Sequence, residues 1–178
     1  FGGAIACYSP NLIVKDGCNF IGNKTSSRKS GVAYGGALYL SQKATNGLIT
    51  SSTFTDNYAL NSYGSAYGGA IQVHSGSSAT ISSCVFTRSE GNTDVIANRG
   101  GAIVVSGGTV AINGISVSGY SVKDYGGAIY TQEGATVTMT GANIFTGCSA
   151  NRGGAISLNA GTTADLSGAE ILSSSATW

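Results

Sequence analysis

The tetrad Gly-Gly-Ala-Ile/Leu occurs six times, beginning at Gly2, Gly35, Gly68, Gly100, Gly126 and Gly153, at intervals of 33, 33, 32, 26 and 27 residues. A period in this range marks a repeat architecture, in which one supersecondary unit cannot bury its apolar face alone and neighbouring units stack into a continuous core. Starting each unit one residue before its tetrad divides the chain into coils 1–33, 34–66, 67–98, 99–124, 125–151 and 152–178. The first tetrad stands almost at the start of the chain and no cap precedes it, so the sequence reads as one solenoid, 1–178, and as a window of a longer repeat protein.

Within a coil the apolar residues alternate, as in Ile71-Gln72-Val73 and Ile103-Val104-Val105, which is the period of a strand. A second alternating run follows a Gly/Ser/Asn turn: Leu12 and Val14, Ala79 and Ile81, Val110 and Ile112, Val137 and Met139, Ala164 and Leu166. A third is centred on Phe20, Phe54, Phe86, Val117, Phe145 and Ile171. Three short strands per unit are too few for a propeller blade, and no helical period is present for a leucine-rich or ankyrin unit. A three-faced parallel β-helix is what remains. Its coils stack at about 4.8 Å, so six of them predict a rod of roughly 29 Å. Ile5, Leu38, Ile71, Ile103, Ile129 and Ile156 are expected to form one interior column and the phenylalanines another.

The chain has 28 glycines and one proline. The Gly-Gly pairs account for many of them: without Cβ the backbone takes a positive φ and turns into the first strand, and the following Ala packs in a narrow corner. No helix follows any pair, so they are not phosphate cradles. Charged residues make up 10% of the chain, hydrophobic ones 42%, and the net charge is +1. That balance describes a packed protein without a basic field for nucleic acid or an anionic membrane surface. No apolar run approaches the roughly 20 residues that span a bilayer, so no direct membrane insertion is expected.

The residue before each tetrad is Phe1, Tyr34, Tyr67, Arg99, Tyr125 or Arg152. One aromatic or guanidinium group per coil predicts a structural ladder along one edge, and the functional alternative is a sugar-binding aromatic strip. The four cysteines invite a disulfide framework in a secreted chain. Cys18 and Cys84, however, occupy equivalent positions two coils apart, about 9.6 Å, beyond the roughly 7 Å that a bridge spans. Cys7, Cys18, Cys84 and Cys148 are therefore read as small buried hydrophobes, with a Cys7–Cys18 bridge left open. His74 is the only histidine and no C-x2-C or H-x3-H spacing occurs, so neither a metal nor a cofactor is expected. His74 is placed in a solvent-facing turn. Asp16, Asp56, Glu90, Asp94, Asp124, Glu133, Asp165 and Glu170 fall at unrelated places in their coils, which gives no pair for acid–base chemistry and no catalytic residue.

Coils 1 to 3 carry extra residues between their third strand and the next tetrad: Lys24–Ala33, Tyr58–Ala66 and Glu90–Asn98. Such insertions fall on one face of a solenoid, often the binding face. Lys24, Arg28, Lys29, Tyr58, Tyr63, Glu90 and Asp94 are the candidate contact residues of these loops. Asn23-Lys24-Thr25 is the one N-glycosylation sequon and Asn23 its candidate acceptor.

With GGA[IL] in every coil and Phe20-Ile21-Gly22-Asn23 and Phe54-Thr55-Asp56-Asn57 as two copies of FxxN, the chain resembles the polymorphic outer membrane protein repeats of chlamydial autotransporters. Ser89, Cys148 and Ser174 stand at the Asn position of later coils. The resemblance implies an all-β fold, a right-handed parallel β-helix of the pectin-lyase-like solenoid type with six coils, located outside the cell or on its surface and displaying loops for adhesion. The expected function is that of a non-catalytic structural or adhesive module in contact with a host protein or glycan. Self-association or neighbouring coils are expected to cover both ends. The alternative is a carbohydrate-active β-helix, a polysaccharide lyase or hydrolase, whose catalytic coils lie outside this window.

Overall fold

A computed structural model describes residues 1–27, 31–62, 64–92 and 97–177. Among them every element is a strand, and the chain is an all-β parallel solenoid. Strands Ile5–Cys7, Leu38–Leu40, Ile71–Val73, Ile103–Ser106, Ile129–Gln132 and Ile156–Leu158 form the first of three six-stranded parallel sheets, in sequence order. Six stacked strands in sequence order mean that each coil pairs only with the coils before and after it, as a solenoid requires.

The apolar columns follow from that register. Ile5, Leu38, Ile71, Ile103, Ile129 and Ile156 are paired one to the next, and the middle four are fully buried. In the third sheet Phe20, Phe54, Phe86, Val117, Phe145 and Ile171 are likewise in register. The first three rings stack at centroid distances of 4.8 Å and tilts of 4° and 9°. Each fully buried aliphatic or aromatic side chain contributes about 1.5–3 kcal/mol. The second sheet shows why the alternating pattern drops out in coil 2: its first inward position is Gly47, and the Leu40 side chain fills the space, 2.7 Å from where a Cβ would stand.

The two glycines of each tetrad answer different constraints. The first takes a positive φ, +57° at Gly35 and +62° at Gly126, which an L side chain resists. The second has no room for a Cβ: one built at Gly36 would lie 2.0 Å from the Gly69 carbonyl oxygen, and one at Gly127 2.0 Å from that of Gly154. The alanine that follows is fully buried in the corner at Ala37, Ala70, Ala102 and Ala128, and its carbonyl accepts from two amides of the preceding coil, as Ala70 does from Ala37 and Leu38 at 2.9 Å each.

Three expectations are corrected. The insertions of coils 1 and 2 are not free loops: Lys24–Ser27 pairs in parallel with Tyr58–Asn61, and Ala33–Tyr34 with Ala66–Tyr67. The alternation that drives this is between polar residues and the buried Thr25 and Ala59, so it carries little hydrophobic signal. Cys18 is exposed with its thiol on the Lys15 carbonyl of its own turn at 3.1 Å, whereas Cys7, Cys84 and Cys148 are buried, the Cys84 thiol lying 3.6 Å from the Ile49 carbonyl of the coil before it. All four are free thiols. His74, finally, is half-buried with its ring edge-on to Tyr34 and Tyr39, at 6.2 and 5.9 Å, because the ladder at this corner offers it two ring faces.

Candidate functional site

The backbone places Tyr34, Tyr67, Arg99, Tyr125 and Arg152 in one parallel register, one residue per coil. With Phe1 their side chains make a continuous ladder. Phe1 stacks on Tyr34 at 5.4 Å and Tyr34 on Tyr67 at 5.6 Å. Arg99 then lies between Tyr67 and Tyr125, its guanidinium carbon 5.4 and 5.1 Å from their ring centres, and Arg152 lies 5.5 Å from the ring of Tyr125. The guanidinium groups are also tied laterally, Arg99 Nη1 donating to the Tyr67 hydroxyl at 3.2 Å and Arg152 Nη1 to that of Tyr125 at 3.3 Å.

A second row, five residues further along each coil, packs against the first. Tyr39 meets Phe1 at 4.7 Å and Tyr34 at 5.9 Å, and Tyr130 meets Tyr125 at 5.7 Å and the Arg99 guanidinium at 5.7 Å. Burial pushes the Tyr34 phenol up, helped by Tyr67, and burial does the same to Tyr39 and Tyr130, in the last case partly offset by Arg99. Tyr34, Tyr39 and Tyr130 are therefore neutral phenols near neutral pH. The Asp124 carboxylate lies 3.8 Å from Arg99 Nε. Beside Arg99, Tyr125, Tyr130 and Arg152 the surface opens into a cleft of about 400 Å³ that continues to Ser157 and Asn159.

A second polar cluster lies at the corner after the third strand. Here Gly22, Asp56, Gly119, Gly147 and Ser173 all take positive φ, but Arg88, at the same place in coil 3, does not, and its side chain is buried. Asp56 accepts from the Ser89 amide at 2.9 Å and the Ser89 hydroxyl at 2.6 Å and lies 3.7 Å from Arg88 Nη1. Burial opposes its ionisation, yet the Ser89 hydrogen bonds, with Asn92 and Arg88, hold it below its usual range. Tyr120 occupies the FxxN asparagine position of coil 4. It is fully buried, and its hydroxyl has no hydrogen-bond partner among the described residues. Sequence reasoning passed over it; its only signal is a large aromatic three residues after Val117, at the place of Asn23 and Asn57.

Those two asparagines form a short ladder of their own. The Asn23 side-chain amide donates to Asn57 Oδ1 at 2.8 Å, and Asn57 Nδ2 to the Phe20 carbonyl at 2.8 Å. The candidate glycosylation nitrogen is thus engaged inside the stack, and the sequon's Thr25 hydroxyl is buried on the Gly35 carbonyl at 2.7 Å. Of the candidate contact residues, Lys24 is exposed on its strand with its ammonium 5.2 Å from the centre of the Tyr58 ring, and Glu90 is exposed at a turn. Arg28, Lys29, Tyr63 and Asp94 lie outside the described residues. Among the described residues no three His, Cys, Asp or Glu side chains gather as metal ligands.

Fold and ladder together define a parallel β-solenoid repeat protein. No protein-family model, no curated protein and no solved structure matches the chain.

Proposed function

We propose that the chain is a non-catalytic structural or adhesive module of an extracellular or cell-surface protein, a rigid filament-like scaffold of the kind an autotransporter passenger displays. The observation that carries this reading is the continuous commitment of side chains to ladders. Interior columns, the phenylalanine stack, the Asn23–Asn57 pair and the aromatic–arginine edge all run from coil to coil and stiffen one axis. The carboxylates support it too. Asp56 is held by Ser89 and Arg88, Asp124 faces Arg99, Asp165 is bonded by Ser167, and Asp16 lies beside Lys15. Each of these four is held by a different neighbour.

On this reading contact with a host protein or glycan falls to the edge that carries Lys24 and Tyr58 and to the outer band, and further coils or a second copy stack on the strand edges of the first and last coils. Beads coated with the protein and passed over host-cell and glycan-coated surfaces test the adhesive role. Retention above that of an unrelated β-rich protein, lost with Lys24→Glu combined with Tyr58→Ala or with substitution in the outer band, is the expected result. Retention no better than the control on every surface overturns it.

A further inference from the structure

An asparagine followed by glycine is open to attack by its own backbone, because glycine carries no Cβ to crowd the approach of its nitrogen to the neighbouring carboxamide. The chain has two such pairs, Asn46-Gly47 and Asn113-Gly114, and the fold treats them differently. Asn46 and Gly47 lie inside the strand Asn46–Thr50, with Gly47 paired to Leu12 of the coil before and to Ala79 of the coil after. Gly47 is buried, and Asn46 Nδ2 donates to Asn11 Oδ1 at 3.3 Å. Asn113 is the exposed last residue of the strand Thr109–Asn113, and Gly114 turns the corner after it at a φ of +60°.

At this corner Ser51 and Ser83 tie their amides to the next coil, donating to the Ser82 and Asn113 carbonyls at 3.1 and 2.9 Å. Among the described residues the Gly114 amide has no acceptor and the Asn113 side chain has no hydrogen-bond partner. A Cβ built on Gly114 meets nothing within 4 Å, so the corner has room for a ring to close. Nucleophile and electrophile are adjacent and uncommitted at Asn113-Gly114, and held in a ladder at Asn46-Gly47.

We infer that Asn113 is a site of spontaneous covalent modification, deamidation to aspartate and isoaspartate, and that the ladder protects Asn46. The Gly114 nitrogen gives its proton to solvent base and bonds to Asn113 Cγ, the Cγ–Nδ2 bond breaks, and ammonia leaves behind a cyclic succinimide. Water opens the ring at either carbonyl, so the net change is water consumed and ammonia released, without oxidation. Opening at Cγ leaves aspartate. Opening at the backbone carbon reroutes the main chain through Cβ and Cγ, and the carbonyl that now accepts from the Ser83 amide becomes a free carboxylate. That product lengthens coil 4 between its second and third strands and puts a negative charge between Ser82 and Thr140, its partners in register. Age thereby marks and loosens one defined corner of the rod.

The test is incubation of the intact chain at mildly alkaline pH, with peptide mass spectrometry and enzymatic isoaspartate labelling over time, beside a urea-unfolded sample. In the folded chain the Asn113 peptide is expected to convert at least about tenfold faster than the Asn46 peptide, because the paired strand must open before Gly47 can attack. Unfolding brings the two rates together. Ser51 and Ser83 hold the same corner at φ of +49° and +51°, so Gly114→Ser keeps the fold, and its side chain slows conversion of Asn113. Asn46 converting as fast as Asn113 in the folded chain, Asn113 converting only on unfolding, or a ratio unchanged by urea overturns the assignment.

Discussion

The guanidinium carbon of Arg99 lies 5.1 Å from the centre of the Tyr125 ring, one coil away, and 5.4 Å from that of Tyr67 on the other side. A half-exposed cation between two phenols contributes about 0.5–1 kcal/mol per ring. A double-mutant cycle on Arg99→Gln and Tyr125→Leu, read by urea unfolding, is expected to give a coupling of that size. A coupling of zero means that the ladder is an arrangement without energetic consequence.

The glycines offer a sharper contrast. Gly17 has a φ of +80° with nothing within 4 Å of a built Cβ, whereas a Cβ at Gly36 meets a backbone oxygen at 2.0 Å. Gly17→Ala should lower stability by about 1–2 kcal/mol, the left-handed penalty alone. Gly36→Ala forces neighbouring coils apart and should exceed about 4 kcal/mol. Equal effects at the two positions contradict the close-approach role of the second glycine.

Tyr120 buries a hydroxyl without a hydrogen-bond partner among the described residues. Removing it with Tyr120→Phe is expected to be neutral or to stabilise by up to about 1–3 kcal/mol, and Tyr120→Ala to destabilise by about 3–5 kcal/mol. Burial pushes the Tyr120 pKa well above its ordinary value. The folded chain then keeps a proton that the unfolded chain releases above about pH 10, so stability falls as pH rises past that point. Tyr120→Phe should flatten that fall. Asp56 works in the other direction: its lowered pKa gives stability that is present above about pH 4 and is lost as pH falls, and Asp56→Asn should remove that acid dependence.

Cysteine reactivity separates the coils. Cys18 is exposed, while Cys84 and Cys148 are buried with their thiols pushed up by desolvation. Titration with a thiol reagent should label Cys18 at once in the native protein and the remaining three only on unfolding. Loss of two thiols from the total after unfolding would reveal a Cys7–Cys18 bridge.

The parts of this architecture that repeat once per coil were legible in the sequence. Ile71 and Ile103, Phe54 and Phe86, and Tyr34 and Tyr67 recur at the repeat spacing, and a parallel stack must place equals on equals. The parts that depend on a neighbour's identity were not. Cys18 and Cys84 share a position and differ in burial, the Cys84 thiol lying against the Ile49 carbonyl of the coil before it. Arg88 and Tyr120 replace the corner glycine and the asparagine of other coils, each of them a departure that the repeat pattern hides. The strand Lys24–Ser27 is polar and paired through its backbone, so hydrophobic periodicity is silent there. The cleft beside Arg152 arises from residues of three different coils, and only the ladder members carry a periodic signal.

The central claim is that this solenoid is a scaffold and not a catalyst. It is tested most directly by incubating the intact protein with a panel of acidic and neutral polysaccharides and following product release by mass spectrometry. The account predicts no product above the buffer control at any pH. Reproducible turnover, abolished by a single carboxylate substitution such as Glu133→Gln or Glu170→Gln in a protein that still folds, would contradict it.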